Sequence, residues 1–234
     1  MKILGIIPSR HNSSRFLGKP LVDLGGKSMV QRVYEQAQKS ILDQIIVATD
    51  DERIYNAVLA FGGKAIMTSS KHSNGTDRCF EALQKMEWNF DGVINIQGDE
   101  PFIHPEQIEK IINCLQQKNT QIATLGKAIS SKKDVLDVNS PKVFFNKQMF
   151  ATSFEREVDF DKNTNYYHHV GIYGYTTKAL ANITQLHPTK NEIEKRLEQL
   201  RWLDNGYNIR VELTEHESFS IDTPEDVKKI AHLL

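Results

Sequence analysis

The chain has 234 residues, with 29 Lys and Arg against 30 Asp and Glu and 39% hydrophobic residues. That balance describes an ordinary globular protein of one large domain, or one domain with a lobe, and it excludes the bulk basic field of a nucleic-acid or anionic-membrane binder. No apolar run approaches a membrane span or a signal peptide, and Cys79 and Cys114 sit in apolar stretches without metal-ligand neighbours, so the expectation is a soluble cytoplasmic protein with buried free thiols.

Ile3 to Ile7 reads as a buried strand. It runs into a loop of small residues carrying three cations, Arg10, Arg15 and Lys19. Small residues let backbone approach a ligand, and fixed cations there favour a polyphosphate; the alternative is a solvated basic loop. Met29, Val30, Val33, Tyr34 and Ala37 recur at helical spacing, Ile45 to Ala48 form a second strand, and Ile54, Ala57, Val58 and Phe61 mark a helix stopped by Gly62-Gly63. Ala65 to Met67 is a short strand, 75–87 a helix, Val93 to Ile96 a fourth strand, and Ile108, Ile111, Ile112 and Leu115 another helix. This alternation predicts a mostly parallel sheet covered on both faces, with strand ends gathered along one edge.

After about residue 127 the rhythm breaks. Strands are expected at Lys142 to Phe145 and His169 to Tyr175, flanking a polar stretch from Glu155 to Asn165 that reads as an exposed insertion or subunit contact. One helix is expected over 191–204 with Ile193, Leu197, Leu200 and Leu203 on its buried face, then a strand from Tyr207 to Leu213 and a last helix opening at Pro224.

Four groups could do chemistry. The fourth strand ends in Gln97-Gly98-Asp99-Glu100-Pro101, where Gly98 lets the backbone expose Asp99 to a hard cation and Gln97 could present its amide; a capping turn is the competing reading. Asp222-Thr223-Pro224-Glu225-Asp226 is either a helix start or a second carboxylate for the same ion. The loop from His72 to Arg78 runs into a helix that Thr76 or Asn74 could simply cap, but Arg78 stands in its first turn, against the dipole preference, which suggests a ligand such as a base carbonyl or phosphate. His168 and His169 are adjacent on a strand and point to opposite faces, so hydrogen bonding by His169, sharing a face with Tyr173, is preferred to shared metal ligation. Glu198 and Gln199 read as a solvated helix flank.

The segments IIPSRHNSSRFLGKPL, SNGTDR, NIQGDEP, HHVGIYGY, LEQLR and IDTPEDV, in this order from Ile3 to Val227, resemble the 3-deoxy-manno-octulosonate (Kdo) cytidylyltransferase family. The resemblance implies an α/β fold with a Rossmann-like, mostly parallel mixed sheet of the nucleotide-diphospho-sugar transferase, glycosyltransferase-A-like type, with an insertion or dimerisation lobe. It implies one nucleotidyltransferase domain over 1–234, with 128–190 on the sugar side and at a dimer contact. The implied reaction transfers CMP from CTP to Kdo, releasing pyrophosphate, for lipopolysaccharide biosynthesis. Arg10, Arg15 and Lys19 would hold the phosphates; Pro8, Ser9, Arg78 and Gln97 would line the cytidine or sugar pocket; Asp99 and Asp222 would bind Mg²⁺. His169, Tyr173, Glu198 and Gln199, with Gln97, would meet the sugar acid. The implied assembly is a homodimer. Leu17 replaces a frequent family Pro, and of the family's Ser-Arg-Ala-x-Ile-Pro segment only Arg156 is kept. The alternatives are CMP transfer to a sialic-acid-like or 8-amino-Kdo substrate, and a non-catalytic nucleotide-binding protein.

Overall fold

The computed structural model describes residues 1–12, 16–86, 89–230 and 233. The elements, in chain order, are β1 (Ile3–Ser9), a 3₁₀ turn (Lys19–Leu21), α1 (Met29–Ala37), β2 (Gln44–Thr49), α2 (Glu52–Ala60), β3 (Ala65–Met67), α3 (Gly75–Gln84), β4 (Gly92–Asn95) and α4 (Pro105–Leu115). They continue as β5 (Ile122–Ile129), α5 (Lys132–Leu136), β6 (Lys142–Phe145), β7 (Ala151–Glu155), β8 (Tyr166–Thr176), α6 (Thr177–Ile183), α7 (Lys190–Lys195), α8 (Gln199–Asp204), β9 (Ile209–Leu213) and α9 (Pro224–Lys229). Contacts divide the chain into two compact units, Met1–Glu109 with Ser218–Leu234, and Lys110–Glu217.

In the first unit, β3, β2, β1 and β4 lie side by side in that order, all parallel. β1 is buried along nearly its whole length and β4 throughout, as expected of parallel strands with helices on both faces. The helices start where the sequence provides caps. Ser28, Asp51 and Asn74 accept from the amides of Gln31, Arg53 and Asp77, each such cap being worth about 1 kcal/mol. Gly62 adopts φ 81° just past α2, ending it as its position in the sequence predicts. Glu87, at the far end of the helix expected over 75–87, lies outside the described residues.

In the second unit, β5 pairs antiparallel with β8 and parallel with β9, while β6 pairs antiparallel with β7 and β8. The single helix expected over 191–204 is two. Arg196 takes a left-handed conformation (φ 54°), and the Arg156 guanidinium donates to the carbonyls of Lys195 and Arg196 at the end of α7 and to that of Val138 after α5. The break redirects the chain, so Leu197 and Leu200 are buried while Ile193 is exposed. The polar stretch after Glu155 holds a local structure: Tyr166 donates to the Asp159 carbonyl at 2.6 Å, and its ring stacks on Phe160.

Candidate active site

In the first unit the sheet order reverses direction at β1 and β4, which run in register from Ile3–Gly92 to Ile6–Asn95. Open α/β sheets bind ligands at the carboxyl ends of such a strand pair. There a cleft of about 210 Å³ is lined by Pro8 and Ser9 at the end of β1 and Arg10 after it, by Lys19 and Pro20, by His72 to Gly75 and Arg78 around the start of α3, by Gln97, Gly98 and Asp99 after β4, and by Asp222.

Three local devices bring these residues together. The first is a close approach of backbones. A Cβ on Gly98 would lie 2.8 Å from the Pro8 carbonyl oxygen and 3.0 Å from Ser9 Oγ, so only glycine lets the loop after β4 lie against the end of β1. The second is a small apolar cluster of Leu24, Met29, Ile221 and Ile230, with Phe16, Val22, Phe102 and Val227 against it. Burying a side chain such as Ile221 contributes about 1.5–3 kcal/mol, which fastens the segment before α9 next to the 3₁₀ turn that carries Lys19. The third is hydrogen bonding: Ile221 N–H donates to the Asp99 carbonyl at 2.9 Å. Phe102 and Phe219 meet edge to face across the same contact.

The result is a convergence over 203 residues of sequence. Lys19 Nζ lies 2.7 Å from Asp99 Oδ2 and 3.2 Å from Asp222 Oδ1. Two carboxylates therefore meet at one cationic position while keeping partial access to solvent. Such hard oxygen donors suit a divalent ion that completes its shell with phosphate oxygens and water. Glu100, next to Asp99, is buried. Burial, with a smaller push from the charge of Asp99, raises its carboxyl to about 7 against a hydrogen bond with Ser218 that lowers it.

Arg78 forms one wall, and its guanidinium is already engaged. It donates to Thr68 Oγ1 at 2.6 Å and to Asp50 Oδ2 at 2.9 Å. Asp50 thus compensates the cation that the helix dipole disfavours. His72 was missed as a cleft residue; it pairs with Glu81, which also accepts from the Ser69 amide at 2.8 Å and pairs with Lys85. The i, i+4 spacing of Glu81 and Lys85 and the helical start at Gly75 were the available signals, but the long reach from Glu81 back to Ser69 is tertiary. Arg10 is exposed at the rim of the cleft, and Ser9 Oγ is buried with no hydrogen-bond partner among the described residues. Arg15 lies outside the described residues.

The residues expected along the sugar acid, apart from Gln97, belong to the second unit. His169 and Tyr173 lie on β8 with ring centroids 5.4 Å apart, and Trp202 packs edge-on against Tyr173 at 5.0 Å. Burial, with His168 alongside, pushes the His169 imidazole down to about 3, so it is neutral. Burial and the charge of Glu198 push the Tyr173 hydroxyl well up. Gln199 opens α8 and is buried at 5% exposure, and Glu198 before it is half-buried, which corrects the expectation of a solvated flank. The turn at Arg196 is the reason: it swings this pair inward, whereas a continuous helix would leave it at the edge. Both cysteines are buried and neither forms a disulfide, as expected.

The cytidylyltransferase family model matches residues 4–231. A 3-deoxy-manno-octulosonate cytidylyltransferase of Parabacteroides distasonis is 51% identical over 98% of this chain and 96% of its own length. The chain belongs to the 3-deoxy-manno-octulosonate cytidylyltransferase family. A Bacteroides thetaiotaomicron protein of the same name is 50% identical over 100% of this chain and 98% of its own. A solved structure of CMP:2-keto-3-deoxy-manno-octonic acid synthetase complexed with CTP is 40% identical with a TM-score of 0.94, covering 100% of this chain and 98% of that one. Membership in this cytidylyltransferase family agrees with the fold: a mixed α/β chain whose first unit is a parallel sheet with its cleft at the β1/β4 ends. Among the described residues no helix is long and apolar enough to cross a membrane.

Proposed function

We propose that this protein transfers CMP from CTP to the anomeric hydroxyl of Kdo. The hydroxyl oxygen forms a bond to the α-phosphorus, the bond from that phosphorus to the β-phosphate bridging oxygen breaks, the hydroxyl proton is lost, and pyrophosphate departs. The observation that carries the reading is the meeting of Lys19, Asp99 and Asp222 at the mouth of a cleft between two parallel strand ends. The high identity to proteins named for this reaction, and to one solved with CTP, supports the choice of nucleotide and sugar.

The chain's own residues supply alignment and charge, which is what phosphoryl-type transfer chiefly needs. Arg10 and Lys19, with Arg15 from the same loop, hold the triphosphate and stabilise charge developing on pyrophosphate. Pro8, Ser9, Arg78 and Gln97 shape the nucleotide side, and Gln97, His169, Tyr173, Glu198 and Gln199 serve the sugar. Asp99 and Asp222 would hold Mg²⁺; their two carboxylates, which meet at Lys19 Nζ, make a hard oxygen donor set that suits it. When bound, that ion polarises phosphate oxygens and lowers the pKa of the incoming hydroxyl. No covalent intermediate is needed. The proposed setting is the cytoplasm, with a homodimer making an activated sugar for lipopolysaccharide biosynthesis.

The test is a coupled pyrophosphate-release assay with each nucleoside triphosphate, with and without Kdo and a panel of related sugar acids. Release confined to CTP plus Kdo is expected. Equal release with another sugar acid would reassign the substrate, and none with CTP would remove the activity.

A further inference from the structure

Thr124 lies in β5 at a break in the ladder with β8. It faces Tyr173, while the next residue, Leu125, faces Val170, so Gly171 and Ile172 are spare on the longer strand. A bulge of this kind interrupts the backbone pairing and leaves buried carbonyls in need of donors. The Thr124 side chain fills that gap. Its Oγ1 is 2.9 Å from the Ile172 carbonyl oxygen, 3.2 Å from that of Val170, and 2.9 Å from His169 Nε2.

The three contacts fix the direction of each hydrogen bond. A hydroxyl has one proton and two lone pairs, and a carbonyl oxygen can only accept. The Thr124 proton therefore goes to the carbonyls, and its oxygen is left to accept from the imidazole. The reverse arrangement would spend the only proton on His169 and leave two carbonyl oxygens facing hydroxyl lone pairs in a dry site, a costly placement. His169 is buried and neutral, so it carries one ring proton, and that proton is on Nε2. Nδ1 is then a lone-pair acceptor. The ring is held between Phe154, edge-on at 5.1 Å, and Tyr173. Beside it, the Tyr173 hydroxyl is buried with no hydrogen-bond partner among the described residues. A buried polar group of that kind calls for a partner from outside the chain.

We propose that Thr124 is a positioning residue that locks His169 as its Nε2–H tautomer, so that Nδ1 accepts a hydrogen bond from a hydroxyl of the sugar acid and repels a carboxylate. The inference rests on the reading of His169 as a sugar-side residue. It assigns the two polar faces of the substrate: a hydroxyl goes to His169, and the carboxylate must find its donors elsewhere.

Nitrogen NMR on protein labelled with ¹⁵N-histidine reads the tautomer without substrate, with His169→Gln assigning the signal. Wild-type His169 should show a pyrrole-like Nε2 and a pyridine-like Nδ1. Thr124→Val keeps shape and removes the hydroxyl; the Nε2–H signature should be lost or mixed, and the KM for Kdo should rise about tenfold with the KM for CTP unchanged. Thr124→Ser should restore both. A pyrrole-like Nδ1 in the wild-type protein would overturn the proposal, and so would a Thr124→Val enzyme with the wild-type KM for Kdo. Should Thr124→Val fail to fold, the wild-type spectrum still decides the tautomer. The expected spectrum with no turnover of Kdo would sink the functional reading and the sugar half of the proposal, while supporting the lock itself.

Discussion

Gly98→Ala tests the geometry of the cleft most sharply, because it adds a single methyl group. The new Cβ would sit 2.8 Å from the Pro8 carbonyl oxygen, about 0.6 Å inside ordinary contact, and 3.0 Å from Ser9 Oγ. The nearer obstacle is backbone within the parallel sheet and cannot rotate away. Either the loop after β4 or the end of β1 must shift by several tenths of an ångström. Overpacking of this kind costs about 1–3 kcal/mol, and with about 2–4 °C lost per kcal/mol in a chain of this size the melting temperature should fall by roughly 2–12 °C. Asp99 follows immediately after Gly98, so the shift also displaces its carboxylate. Since a 1 Å misplacement costs about 10²-fold in rate, a loss of about tenfold in kcat is expected. Pyrophosphate release and thermal unfolding on the same preparation measure both. Gly75→Ala is the comparison: its Cβ would come nearest to Pro8 Cγ, at 3.2 Å, with Asn95 Nδ2 at an ordinary 3.5 Å, and should cost less on each measure. A Gly98→Ala enzyme with wild-type melting and wild-type kcat would refute the close approach.

Asp99→Asn should lower turnover by about 10²–10³, the loss typical of one preorganised electrostatic contact, while Mg²⁺ affinity, followed by titration calorimetry in the presence of CTP, also falls. Intact affinity would move the ion elsewhere. Chelator should abolish turnover and added Mg²⁺ restore it; full activity in excess chelator would contradict the carboxylate pair as its site. The loop carrying His72 should be acid-sensitive through Glu81. Burial raises that carboxyl, but Lys85, the Ser69 amide and His72 outweigh burial and bring it from 4.5 down to about 2. Because the folded value is depressed, the stabilisation is present above 4.5 and is lost as pH falls toward 2, amounting to about 3 kcal/mol over that window. Denaturant titrations across that range should show the slope, and Glu81→Gln should reduce it, leaving the share of Asp51 and Asp226, which are also brought down to about 2; an unchanged slope would place the acid sensitivity at other groups.

The parallel half of the molecule was legible because each strand is a short apolar run closed by a turn signal and each helix has a stripe. The glycine before Asp99 favours it over Glu100, and the structure buries Glu100 while leaving Asp99 open to the cleft. The second unit was harder. β5 contains Gly126, a residue that argues against a strand interior; it is there because Val143 and Val211 approach to 3.3 and 3.4 Å of where a Cβ would stand, a fact of packing and not of local pattern. The helix over 191–204 showed one continuous stripe, and its break depends on Arg156, which is far away in sequence. Thr124 gave no signal at all, since its role needs a bulge in another strand. What local periodicity and caps encode was readable; what long-range hydrogen bonds impose was not.

The central claim is that CTP and Kdo are joined at a site built around Asp99 and Asp222. Phosphorus NMR of a reaction containing the protein, CTP, Kdo and Mg²⁺ tests it in one tube. The α-phosphorus of CTP should pass into a phosphodiester linked to the sugar, with an equal amount of pyrophosphate, and both signals should vanish with Asp99→Asn or Asp222→Asn. Hydrolysis of CTP without a sugar phosphodiester, or undiminished product from either variant, would contradict it.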